Sequence, residues 1–96
     1  MSPLNKKKLD SLRLKLDKLD TELLKLIKKR SNLVNEVLKV KVHKKEIIDQ
    51  KRIVFILKKI RIKSIQLKID PKITNRIWKN MIWSFIDYEN RNFKKK

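Results

Sequence analysis

The sequence has no cysteine, no glycine and no alanine, only two prolines, and a single histidine. Without cysteine there are no disulfides, thiolate metal sites or cysteine nucleophiles, and one histidine cannot build a zinc site alone. A metal site is therefore not expected. No apolar run approaches the roughly 18 residues that a membrane span requires, and Met1 to Lys8 lacks the apolar stretch of a signal peptide. The expectation is a soluble cytoplasmic protein with no membrane partner. Acidic residues are also scarce: 10 Asp and Glu stand against 28 Lys and Arg, a net charge of +18. Such an excess points to an anionic partner, whether nucleic acid, a membrane surface or a small polyanion. It also fits genomic drift, because 22 of the cations are Lys and 6 are Arg, beside 13 Ile and 7 Asn, residues with A/T-rich codons. Proteins that grip phosphates favour the bidentate fork of Arg, so charge alone does not assign a nucleic-acid function.

What is present is apolar periodicity. The chain has 96 residues, 41% of them hydrophobic, enough for one small core and one domain over residues 1–96. The basic ends, 1–8 and 91–96, are expected to fray. From Leu9 the apolar positions run Leu12, Leu16, Leu19, Leu23, Leu26, then Leu33, Val37 and Val40, the alternating three- and four-residue steps of a helix seam. With no Pro or Gly before Val42, the helix is expected to be about 34 residues and about 50 Å long. A compact chain of this size has a radius of gyration of about 12 Å, so the rest of the same chain cannot cover that seam. A dimer or larger helical assembly is expected.

After Val42 a short polar connection, His43 to Ile48, leads to Asp49, which suits an N-cap. A second helix carries Ile53, Ile56, Leu57 and Ile60 and fades near Ser64 into a loop, although Ile65, Leu67 and Ile69 alternate as a strand would. Asp70-Pro71 opens a third helix, with Asp as the cap and Pro at the first helical position. Its stripe is Ile73, Ile77, Trp78, Met81, Ile82, Phe85 and Ile86. The fold class is all-α, three helices with one very long N-terminal helix.

Two residues break the stripes. Arg30 stands four residues after Leu26, on the seam, where a buried cation needs a counter-anion. It reads either as a register-setting residue paired across an interface or as part of an anion site. Lys41 lies about 20° around the helix from Arg30 and about 16 Å along it. Taken alone, Lys41 reads as a solvated lysine. Arg13 is about 25 Å from Arg30 and about 100° away, too far to share a pocket within one chain but not across an antiparallel dimer. Glu89 puts a carboxylate on the apolar stripe of the third helix, either where the helix end meets solvent or as a functional group. Asp49 and Arg52 read first as a cap and a surface cation. Trp78, Trp83 and Phe85 read as core and interface packing, and His43 as a loop residue.

The whole pattern resembles the all-helical class of chorismate mutases, which is related to isochorismate-pyruvate lyases. The first-helix sequence LDSLRLKLDKLDTELLKLIKKRSNLVNEVLKVK is similar to the family's opening "L..LR..ID.ID..L..L...R..L...V...K", with Arg13, Arg30 and Lys41 on its three cationic positions. IIDQKR resembles the family's "D..RE", giving Asp49 and Arg52, and IWKNMIWSFIDYE resembles the last-helix motif ending in a polar catalytic residue, here Glu89. The resemblance implies an intertwined homodimer of three-helix chains. It also implies the Claisen rearrangement of chorismate to prephenate in aromatic amino acid biosynthesis, without metal, cofactor or nucleophile. Orientation of the substrate and stabilisation of the ether oxygen are then the whole task. By similarity, Arg30 and Arg13 of the partner chain clamp the two carboxylates, and Lys41 donates to the ether oxygen. Asp49 and Arg52 complete the polar wall, while Val37, Ile56, Ile82 and Ile86 line the apolar side.

The chain departs from the family pattern twice. Ile53 stands where a Glu usually follows the motif Arg and cannot accept a hydrogen bond from the substrate's ring hydroxyl. The lyases share that lack, so their activity is the alternative within the family. Glu89 stands where many members carry Gln. Ionised, it has no proton to donate and repels a developing oxyanion, so activity is expected to improve toward mildly acidic pH. From other classes, a basic helical nucleic-acid-binding protein and a structural coiled-coil adaptor both fit the helices. The first predicts a steep salt dependence, and the second leaves Arg30 and Glu89 unexplained.

Overall fold

The computed structural model describes residues 2–95. Its elements are α1 (Pro3–Val40), α2 (Gln50–Gln66) and α3 (Pro71–Asn92), with a short 3₁₀ helix (Lys44–Glu46) between the first two. No strand occurs among the described residues. The fold class is all-α with one long N-terminal helix, as the periodicity implies.

α1 starts six residues earlier than the Leu9 seam suggests. Ser2 accounts for the difference: its Oγ accepts the Asn5 amide at 3.2 Å, and its carbonyl accepts the Lys6 amide at 2.9 Å. Pro3 at the first helical position needs no partner for a missing N–H. The basic run Lys6 to Lys8 lies within α1, even though three cations oppose the positive end of the helix dipole. At the other end α1 closes at Val40, where the Lys41 amide donates to the Leu38 carbonyl at 3.2 Å in a tightened last turn.

The chain divides into two compact units, one up to Leu33 and one from Val34. The first is a length of α1 alone. None of α1 is buried, and Leu12, Leu16, Leu19, Leu23 and Leu26 are each 55–60% exposed.

The second unit holds the core. Ile47, Ile82 and Ile86 are buried, with Leu38, Ile53, Ile56, Leu57 and Phe93 packed around them. Ile47 is the most buried of the three, although it lies in what reads as a polar connection. The 3₁₀ turn, closed by Glu46 and Ile47 amides on the His43 and Lys44 carbonyls, carries it inward.

The helix caps follow local chemistry. Asp49 accepts the Arg52 amide at 3.0 Å and Asp70 the Lys72 amide at 2.9 Å. α2 ends in a Schellman motif: the Ile69 amide reaches the Ser64 carbonyl at 2.8 Å and the Lys68 amide the Ile65 carbonyl at 3.1 Å. Lys68 takes the left-handed conformation, φ 59°, which glycine usually supplies. Ile65, Leu67 and Ile69 thus belong to a helix end and its loop. α3 ends at Asn92, and Phe93 beyond it packs partly buried against the core.

Candidate active site

The site is built where the end of α1, the 3₁₀ connection, the start of α2 and the end of α3 meet in the second unit. Lys41, the first residue after α1, is held by the tightened turn at Leu38. Its Nζ donates to Glu89 Oε1 at 3.2 Å, with the side chains only 16% and 7% exposed. Glu89 is thus buried, and the reading of it as a helix end meeting solvent is corrected. Its neighbours on the same α3 stripe, Ile82 and Ile86, are the apolar core, so the carboxylate extends a buried face. A charge in such a position requires a close counter-charge, and Lys41 supplies it. Lys41 correspondingly is no solvated lysine.

Lys41 also lines an open concavity of about 610 Å³ with Glu46, Ile48, Asp49, Gln50 and Lys51. Lys41 is thus shared: it pairs with Glu89, 48 positions away in sequence, and lines the concavity with Asp49. Asp49 commits one oxygen to the Arg52 amide as the α2 cap. The Arg52 side chain is exposed and sits over the Phe55 ring, 5.2 Å from its centroid, shared with Lys59 at 5.8 Å. It engages an aromatic face rather than Asp49.

Of the expected apolar lining, Ile82 and Ile86 are buried, Ile56 is partly buried against the core and Val37 is half exposed. Ile53 also packs against the core, so an apolar residue at that position contributes burial. Arg30 and Arg13 belong to the first unit, Arg30 half-buried and Arg13 exposed.

One contact escaped the sequence reading. Tyr88, beside Glu89, donates through its hydroxyl to Asn35 Oδ1 at 2.8 Å. It ties the end of α3 to α1 six residues before Lys41 and so holds both helix ends that carry the ion pair. The signal was a Tyr and an Asn at the edges of their apolar stripes, where a polar tip is free to reach a partner. Trp83 is about half exposed in the single chain, while Trp78 and Phe85 are partly buried.

Among the described residues no group of His, Cys, Asp and Glu is arranged to hold a metal ion, and no helix is long and apolar enough to cross a membrane. The arrangement is a buried Lys–Glu ion pair set against the apolar core of an all-helical frame. Residues 12–90 match the family model of chorismate mutase type II, most of the chain, and the chain belongs to that family. Membership supports chorismate mutase-type activity in general. No curated protein and no solved structure matches the chain.

Proposed function

We propose that the protein is a chorismate mutase, an isomerase that converts chorismate to prephenate in the cytoplasm as part of phenylalanine and tyrosine synthesis. The observation that carries the reading is the Lys41–Glu89 pair, buried at 3.2 Å in a member of this family. The reaction breaks an ether C–O bond and forms a C–C bond within one molecule, so no group need be transferred to the protein. The residues have two tasks. They hold the flexible dicarboxylate in its reactive chair, and they stabilise negative charge building on the ether oxygen.

In this reading Arg30 and the Arg13 of a second copy take the two carboxylates through charge-assisted bonds. Lys41 exchanges Glu89 for the ether oxygen when substrate enters. Glu89 stands beside the same oxygen, as the polar residue that ends the family's last-helix motif. Asp49 and Arg52 form the polar wall, and Val37, Ile56, Ile82 and Ile86 the apolar one. The second copy is supported by the exposed leucine seam of α1, which a homodimer would bury. The excess of positive charge steers a dianionic substrate inward. The domain is the single 1–96 unit of function.

The deciding experiment mixes purified protein with chorismate and, separately, isochorismate, with products separated by chromatography. Prephenate from chorismate is expected. Salicylate and pyruvate from isochorismate, with little prephenate, would transfer the assignment to the lyase and give Ile53 its meaning. A folded protein that turns over neither would end the enzymatic reading.

A further inference from the structure

The cations are not spread evenly along the chain. Residues 50–86 contain ten, Lys51, Arg52, Lys58, Lys59, Arg61 and others, against one acid, Asp70, so this stretch holds half of the net +18. Drift toward A/T-rich codons acts along the whole chain and does not by itself clear acids from one segment. Asp70 is committed as the α3 cap. Among the described residues none of these ten cations makes a salt bridge, whereas Lys25, Lys39, Lys41 and Arg91 do.

Three of the unpaired cations converge. Lys58 and Arg61 of α2 and Lys72 of α3 line a groove of about 380 Å³ together with Asn75, Leu57 and Pro71. No acid lines it. The groove lies near the far end of α2 from Asp49, about 15 Å along the helix at 1.5 Å per residue, so it is separate from the candidate active site. Like charges gathered around one concavity repel each other unless an anion enters.

We propose that this groove binds a small phosphomonoester. The chemistry selects the phosphoryl group. A carboxylate has two oxygens, and one arginine fork satisfies both, which leaves two lysines and an amide idle. A phosphoryl group has three terminal oxygens and up to two charges, and it matches a bidentate Arg61, two lysines and the Asn75 amide. Leu57 and Pro71 give an apolar body somewhere to rest. The groove is a short concavity, in contrast to the extended basic track that a nucleic-acid backbone requires.

Isothermal titration calorimetry of the full chain at fixed ionic strength tests this with phenyl phosphate, inorganic phosphate, benzoate and a short single-stranded RNA. Phenyl phosphate is expected to saturate one site per chain, more tightly than inorganic phosphate, and benzoate is not. The triple variant Lys58→Ala/Arg61→Ala/Lys72→Ala, all exposed positions, should weaken phenyl phosphate by about tenfold or more. Lys6→Ala/Lys7→Ala/Lys8→Ala removes the same charge elsewhere and should leave the affinity unchanged. Circular dichroism establishes that both variants fold. Equal losses in the two triple variants would reduce the effect to net charge and overturn the proposal. So would benzoate binding as well as phenyl phosphate, or saturation by RNA alone with a steep salt dependence. Chorismate turnover is a separate readout, so failure here leaves the mutase reading untouched.

Discussion

At the scale of single residues the decisive pair is Lys41 and Glu89. In the unliganded chain they satisfy each other, and that contact competes with the catalytic role proposed for both. Glu89→Gln removes the charge that would repel a developing oxyanion, puts an amide donor in its place and releases Lys41 from the ion pair. The kcat/KM for chorismate at neutral pH should therefore rise in this variant. A Gln variant with unchanged or lower turnover would remove Glu89 from the mechanism. Glu89→Ala is a different experiment, because it leaves Lys41 nearly buried without a counter-charge. That loss is expected to cost on the order of 3 kcal/mol of stability, read as a lower denaturant midpoint. Arg30→Ala should lower kcat/KM by about 10²- to 10³-fold, the loss typical of one preorganised donor, while the far-ultraviolet circular dichroism is unchanged. If Arg30 only sets helix register, turnover per folded molecule stays constant instead.

At the scale of elements, the absence of glycine has a local consequence. α2 ends in a motif that wants a left-handed residue at position 68, and a lysine occupies it at φ 59°. A Cβ in that conformation costs roughly 1 kcal/mol, and the looser unfolded chain of a glycine variant gives part of that back. Lys68→Gly is therefore expected to stabilise by about 0.5 kcal/mol and to raise the thermal midpoint by a few degrees. The same corner is fixed by a buried hydroxyl pair. Ser64 Oγ donates to the Ile60 carbonyl at 2.6 Å and lies 2.7 Å from Thr74 Oγ1, which then supplies the shared proton. Helix type and the two Asp caps were legible because they depend on neighbours three or four positions away: the leucine seam, Asp49 before Arg52, Asp70 before Pro71. The inward turn of Ile47, the Ser64 to Thr74 contact and the Tyr88 to Asn35 bond were not, since each depends on how separate elements pack. Arg13, Arg30 and Lys41 are proposed as family positions from their register alone. That Lys41 would be found on Glu89, and Arg52 over Phe55, was legible only in three dimensions.

At the scale of the whole molecule, the seam of α1 sets the problem that a single chain leaves unsolved. Leu12, Leu16, Leu19, Leu23 and Leu26 recur at coiled-coil spacing and remain more than half exposed, a larger apolar run than a soluble monomer ordinarily shows to water. A second copy provides the same seam in reverse, and an isologous pairing makes each chain both donor and acceptor of the contact. The active-site reading adds a sharper requirement: each site needs Arg30 from its own chain and Arg13 from the other. Variants Arg13→Ala and Arg30→Ala should each be nearly inactive as pure proteins. Unfolded together at equal concentration and refolded, half of the dimers combine the two chains, and each mixed dimer contains one site with both arginines intact and one site with neither. About a quarter of all sites are then competent, so the mixture should regain about a quarter of the parent activity. Sedimentation equilibrium on the same sample checks that dimers have formed. Dimers without recovered activity would mean that Arg13 and Arg30 act within one chain's site, and an Arg13→Ala protein active by itself would mean that Arg13 has no part in the reaction, whereas monomers would leave the leucine seam needing a different partner.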